Sequence, residues 1–253
     1  MKPIMFMAIL FFAFACTPQS NETTNETNDE GQFDSLLIDV NLISKQSESR
    51  FIQHVSFPSR DSLLIFADIY ERKDSKPTVL LCHQAEYSRG EYRETAFRIG
   101  SFGFSSIAID QRSGNEANNI INKTAQLAKE KGLPTEYIDA KQDIEAAIDY
   151  LFNLNDNQPI VLVGSSYSAS LVLLIGKNND KVKAVAVFSP GEYIKEINIQ
   201  DSIIGYDKPI FITSSKTETE ASKTLISGID TVWTNHFQPD FEGVHGSSAL
   251  WET

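Results

Sequence analysis

Five short apolar runs constrain this chain more than any other feature. Thr78–Cys82, Ser105–Ile109, Pro159–Val163, Val182–Phe188 and Ile210–Thr213 are of strand length and mostly continuous in apolar residues. Strands of that kind are buried on both faces, as in a parallel sheet. Helical stretches separate them: Glu91–Ser101, Glu136–Phe152, Ser166–Lys177 and Glu218–Ile226. In Glu136–Phe152 the residues Ile138, Ile144, Ala147, Ile148 and Leu151 fall near helical spacing, whereas Ser166–Lys177 is apolar nearly all round and reads as a central buried helix. Ahead of them, Phe51–Phe57 and Leu63–Tyr70 alternate as strands about the turn Pro58-Ser59-Arg60-Asp61, and a final strand is expected at Thr231–Asn235. Repeated β–α units with right-handed crossovers predict an α/β fold. Its sheet is open and mostly parallel, of about eight strands, with helices on both faces. The gap between Tyr193 and Lys208 is too short for a large cap domain.

Charge and cysteine usage exclude several classes of function. The 22 basic and 34 acidic residues give a net charge of −12, which is repelled by nucleic acid, so no nucleic-acid partner is expected. Two cysteines make neither a disulfide framework nor a four-thiolate zinc site. Gly176-Lys177 lacks the upstream glycine of a phosphate-binding loop, and neither His-Glu-x-x-His nor G-x-G-x-x-G occurs. No metal and no cofactor is expected.

The N-terminus reads as an address. Lys2 precedes a short apolar run, Ile4 to Ala15, about half the length of a membrane-spanning helix. It ends in Ala13-Phe14-Ala15-Cys16, which resembles the lipobox of bacterial lipoproteins. The expected organisation is a signal peptide over 1–15, a lipid anchor at Cys16 with a polar, acidic tether to 49, and one folded domain over 50–253. The resemblance implies a cell-envelope protein held to a membrane only through its lipid, with a monomeric domain in the periplasm or at the cell surface. Cys82 is then left alone in an apolar strand, as a buried small hydrophobe.

The chemistry-bearing segment follows the third of the apolar runs. Strand Pro159–Val163 leads into Gly164-Ser165-Ser166-Tyr167-Ser168 and then a helix, the context in which G-x-S-x-G forms a nucleophile elbow. The register makes Ser166 the nucleophile, and Ser168 replaces the second glycine. A serine hydroxyl needs a base. Of His54, His83, His236 and His245, only His245 lies in a small-residue loop after the last strand, Glu242 to Ser248; His236 is the alternative and His54 reads as structural. The base needs a carboxylate. Glu218, just beyond strand Ile210–Thr213, is the first candidate; Glu192 and the weaker Glu220 are the others.

Together these segments resemble the α/β-hydrolase superfamily, in particular its small cap-less branch that looks like dienelactone hydrolase. The order Ser166, Glu218, His245 matches the superfamily's nucleophile, acid and base. Leu80-Leu81-Cys82-His83-Gln84 is similar to its oxyanion strand, with Gln84 where glycine is usual, and Asp110-Gln111-Arg112-Ser113-Gly114 to its Asp-x-Arg-Gly stretch. Serine replaces the cysteine of dienelactone hydrolase proper, and the last helix is shorter than usual, which leaves one face of the sheet less covered. The resemblance implies a serine hydrolase acting on small or polar acyl esters, with an oxyanion held by the amides of Tyr167 and of Gln84 or Ala85. Glu86, Tyr87, Arg89 and Tyr92 are expected at the substrate-binding mouth. The alternatives are a catalytically silent ligand-binding lipoprotein, and an acyltransferase or peptidase with the same triad.

Overall fold

The computed structural model describes residues 52–72 and 76–251. The signal peptide, Cys16 and the tether lie outside the described residues.

One eight-stranded sheet organises the domain. Its strands are β1 (Ile52–Pro58), β2 (Leu64–Tyr70), β3 (Pro77–Cys82), β4 (Ser105–Ile109), β7 (Ile160–Ser165), β8 (Val182–Phe188), β9 (Ile210–Thr213) and β10 (Thr234–Phe237). Across the sheet they run in the order β1-β2-β4-β3-β7-β8-β9-β10. β2 is antiparallel to both β1 and β4; every other pairing is parallel. Continuous apolar strands thus occupy the centre, where both faces are covered.

Each strand divides its side chains between two cores. Leu80, Cys82, Ile107, Ile109, Leu162, Val185, Val187 and Ile212 point to one face. There they meet α3 (Lys141–Leu154) and α4 (Tyr167–Lys177), through Ile144, Ile148, Leu151, Leu171 and Leu173. Val79, Leu81, Ala108, Val163 and Phe188 face the other way, against α1 (Arg93–Ser101). That second face thins out toward β10: Phe237 is 55% exposed.

Three elements differ from the sequence-based expectation. The stretch 115–133, to which the sequence assigns no element, holds a small hairpin, β5 (Glu116–Ala117) with β6 (Ile120–Ile121), followed by α2 (Lys123–Glu130), whose N-cap is Asn122. The last strand begins later than expected because Asp230 and Thr231 are used in turns, accepting from the amides of Trp233 and Thr234. The long helix opens with a 3₁₀ turn over Tyr137–Ala140 before α3 proper. The short helices α5 (Ile199–Ser202) and α6 (Thr219–Leu225) complete the fold. No helix among the described residues is long and apolar enough to cross a membrane.

One buried charge cluster clamps two elements together. Arg112, fully buried, donates to Asp143 of α3 at 2.7 Å and to Asp61 of the β1–β2 turn at 2.7 Å.

Candidate active site

The parallel strands β3, β7, β8, β9 and β10 end at one edge, and the loops that leave them meet there. β7 supplies the turn. Ser166 holds φ 57° and ψ −123°, a left-handed conformation that costs a non-glycine residue on the order of 1–3 kcal/mol. Its amide donates to the carbonyl of Phe188 in β8 at 2.8 Å, which anchors the strained residue. Gly164 is required two residues earlier, since a Cβ there would stand 2.6 Å from the Ser168 carbonyl oxygen and 2.7 Å from Ala169 Cα. Ser168 is fully buried, and its hydroxyl donates to the His83 carbonyl at 2.6 Å while accepting from Gln111 Nε2. The residue that departs from the elbow pattern therefore ties the elbow to the neighbouring strand.

The loop after β9 brings an acid to a base. His245 Nδ1 lies 2.5 Å from Glu218 Oε1. The other carboxylate oxygen accepts from the Ser215 hydroxyl at 2.6 Å and the Ser189 hydroxyl at 2.8 Å. Burial acts to raise the Glu218 carboxyl, but the hydrogen bonds from Ser215, His245 and Ser189 outweigh it and hold the group below its ordinary value. Glu218 is thus an ionised partner that orients the imidazole and leaves Nε2 for proton transfer. Ser189 also accepts from the Gly246 amide at 3.0 Å, so one hydroxyl links acid and histidine loop. Gly246 has φ 72°, and a Cβ on it would meet Gln84 Oε1 and Ser165 Oγ.

Between Ser166 and His245 no hydrogen bond is formed among the described residues, a looseness common in nucleophile–base pairs before substrate binds. Tyr193 lies against both. Its hydroxyl donates to the Ser189 carbonyl at 3.2 Å and is within interaction reach of the Ser166 side chain. Its ring meets the His245 ring edge-on at 6.5 Å.

The oxyanion side is narrower than the sequence implied. Tyr167 heads α4, where a first-turn amide has no intrahelical acceptor. Its side chain is a packing group, stacked on Tyr137 at 4.5 Å and bonded to the Ser113 carbonyl. The Gln84 amide is already taken by Glu91 Oε2 at 2.7 Å. That leaves Ala85, whose amide has no acceptor among the described residues. His83 fixes this loop: Nδ1 lies 2.8 Å from the Gln84 carbonyl and Nε2 accepts from the Gln111 amide at 3.0 Å. Burial pushes its imidazole down to about 4, so the ring is neutral.

At the mouth, Glu86 is exposed and Tyr87 is half-buried, stacked on Trp251 at 6.1 Å. Arg89 and Tyr92 do not reach the mouth. The 3₁₀ turn Arg89–Tyr92 tucks both beneath it, where Arg89 pairs with Asp110 at 2.6 Å and Asp68 at 3.0 Å, and the Tyr92 hydroxyl donates to the Cys82 carbonyl at 2.8 Å. The remaining alternatives are engaged elsewhere. Glu192 caps α5 through the amides of Ile199 and Gln200, and Glu220 pairs with Lys223 on the surface. His236 lies in β10, His54 pairs with Asp68 in the β1–β2 ribbon, and Cys82 is buried in β3.

Sequence reasoning missed Ser189, Ser215, Ser247, Tyr193 and Glu91. The signal for the first four was their position just past the C-terminal ends of parallel strands or beside His245, the edge at which open α/β sheets bind ligands. Glu91 gave no such signal. No group of His, Cys, Asp or Glu among the described residues is arranged to hold a metal.

The model of the dienelactone hydrolase family matches residues 65–241. No curated protein matches the chain. Among solved structures, the fold is similar to the esterase Pf2001 of Pyrococcus furiosus, with a TM-score of 0.62 and 15% identity over 81% of this chain and 88% of that one. It is similar to the dienelactone hydrolase of Anabaena variabilis, with a TM-score of 0.58 and 12% identity over 77% and 88%. The esterase domain of a Rhodothermus marinus protein gives a TM-score of 0.55 and 14% identity over 77% and 89%.

Proposed function

The chain belongs to the dienelactone hydrolase family and is thereby a hydrolase; on that premise we propose that it is a serine esterase working through Ser166, His245 and Glu218. The observation that carries the reading is the His245–Glu218 pair at 2.5 Å, set beside a serine held at φ 57°. His245 Nε2 takes the Ser166 proton as Oγ bonds to the ester carbonyl carbon. The carbonyl π pair moves to oxygen, and the amides of Tyr167 and Ala85 bind that oxyanion. Losing one such donor costs about 3–4 kcal/mol of transition-state stabilisation. As the oxyanion collapses, the bond to the leaving alcohol breaks and His245 returns the proton to it. Water then attacks the acyl-serine with His245 as base again; the bond from the acyl carbon to Ser166 Oγ breaks, His245 returns the proton to Oγ, and the acid is released.

The open, polar rim of Glu86, Tyr87 and Tyr193 supports small or polar acyl esters. The lipobox-like Cys16 supports anchoring of the enzyme to a bacterial envelope membrane. A fluorophosphonate probe tests the mechanism. Wild type should carry one adduct on Ser166 and hydrolyse p-nitrophenyl acetate, and Ser166→Ala should do neither. A Ser166→Ala variant with full esterase activity would sink the proposal.

A further inference from the structure

Glu91 is buried completely, yet the proposed reaction does not use it. Its Oε2 accepts from the Gln84 amide at 2.7 Å, and its Oε1 from the Ser247 hydroxyl at 2.6 Å. Its own carbonyl accepts from Trp251 Nε1 at 2.7 Å, and its side chain also meets Ser165. Ser165 in turn accepts from the Ser247 amide at 2.8 Å. Each of these partners is a near neighbour in sequence of a reacting group. Gln84 precedes Ala85, Ser165 precedes Ser166, and Ser247 follows His245 by one intervening glycine. One carboxylate therefore spans the oxyanion loop, the elbow strand and the histidine loop, from a turn that belongs to none of them.

We propose that Glu91 is a positioning residue of the esterase: its ionised carboxylate sets the spacing between the oxyanion amide of Ala85 and the imidazole of His245. The proposal rests on the serine-esterase reading. Both bonded donors, an amide N–H and a hydroxyl, need an acceptor, and the ionised form offers two oxygens to them. No basic side chain pairs with Glu91 among the described residues. The titratable groups facing it are Cys82 on β3, Tyr92 on its own turn and His245 on the opposite loop. Burial pushes its carboxyl up to about 7, against the hydrogen bonds from Ser247, Gln84 and Ser165. Glu91 must then lose its proton for full activity, which adds one proton to the acid limb of log kcat/KM against pH.

The full chain tests this with p-nitrophenyl acetate. Glu91→Ala should lower kcat about 10- to 100-fold, as a displacement of about 1 Å in reacting groups does, with KM nearly unchanged. Glu91→Gln resembles the protonated acid, with one acceptor oxygen and an N–H turned toward the second donor, so its kcat should stay below wild type at every pH while the Glu91 proton disappears from the acid limb. An unchanged kcat in folded Glu91→Ala would overturn the proposal, as would a Gln variant with the kcat of wild type. If Glu91→Ala does not fold, the Gln variant decides alone: a pH profile identical to wild type overturns the proposal. Absence of a Ser166 adduct in wild type would remove the esterase reading and this proposal together. A wild-type adduct with Glu91 variants indistinguishable from wild type would remove this proposal only.

Discussion

At the residue scale, a hydroxyl in the wrong place by pattern has two partners. Ser168 stands where the elbow pattern has glycine, and the sequence offers only its smallness as a reason. In the fold it donates to the His83 carbonyl and accepts from Gln111, so it joins β7's turn to the loop after β3. Ser168→Ala should leave both groups buried without that partner and destabilise the domain by about 1–3 kcal/mol. Urea denaturation at constant slope checks it, and an unchanged midpoint would show that the pair finds other partners. Ser166, Glu218 and His245 are legible because their chemistry is rare at those positions: a serine in a sharp strand-to-helix turn, and an acid and a histidine just past later strands. Arg89 and Tyr92 escape a sequence reading because composition alone does not say which side of a 3₁₀ turn faces water. Arg89 finds two buried carboxylates, and Tyr92 finds a carbonyl under the sheet edge.

Elements are legible in proportion to their burial. β4, β8 and β9 match the apolar runs residue for residue, because a strand covered on both faces is apolar over most of its length. The hairpin of β5 and β6 and helix α2 are not, since two-residue strands carry no periodicity and α2 is polar on much of its surface. What holds these less regular parts is polar and local. Asn122 caps α2 by accepting from Ala125 and also donates to the Gln111 carbonyl. Arg112, from the same loop, clamps α3 to the β1–β2 turn through Asp143 and Asp61. Asp143 is itself fully buried, and burial raises its carboxyl while Arg112 lowers it. Arg112→Met would leave that acid without its counter-charge and should cost about 3–5 kcal/mol, measured as a fall in the urea midpoint. Replacing Arg112 and Asp143 together by apolar residues should recover part of the loss; a double variant worse than the single one would contradict a charge-based account.

For the whole molecule, two predictions concern where it resides and how its stability depends on pH. If Cys16 is acylated, Cys16→Ser should move the full chain from the membrane fraction to the soluble one and abolish palmitate labelling; retention of both would refute the lipid anchor. Stability against pH follows from buried groups of opposite sign: His83 on one side, and on the other Glu91 together with Asp110, whose carboxyl burial raises to about 6. His83 has its folded pKa lowered to about 4 by burial, so its contribution is fully present above the unfolded value and is lost as pH falls through about 4. Glu91 has its folded pKa raised to about 7 by burial, so its contribution is fully present below the ordinary carboxylate range and is lost as pH rises through about 7. Each is worth on the order of 3 kcal/mol across its window, because a tenfold change in proton affinity corresponds to about 1.4 kcal/mol. The two windows overlap, so over most of the mildly acidic range the gain from His83 and the loss from Glu91 offset one another as pH rises. The proposed reaction needs Glu91 ionised, to hold the oxyanion and histidine loops. The enzyme should therefore gain activity over the same pH rise that costs it Glu91's share of stability, a conflict that arises from placing a carboxylate without a basic partner behind the site. Urea midpoints at pH 5 and pH 8 would measure it: wild type should fall, whereas Glu91→Gln, left with the His83 gain against the Asp110 loss, should fall less or rise. Equal changes in the two proteins would mean that Glu91 is already ionised at the lower pH, and the link between the stability curve and the site would be broken.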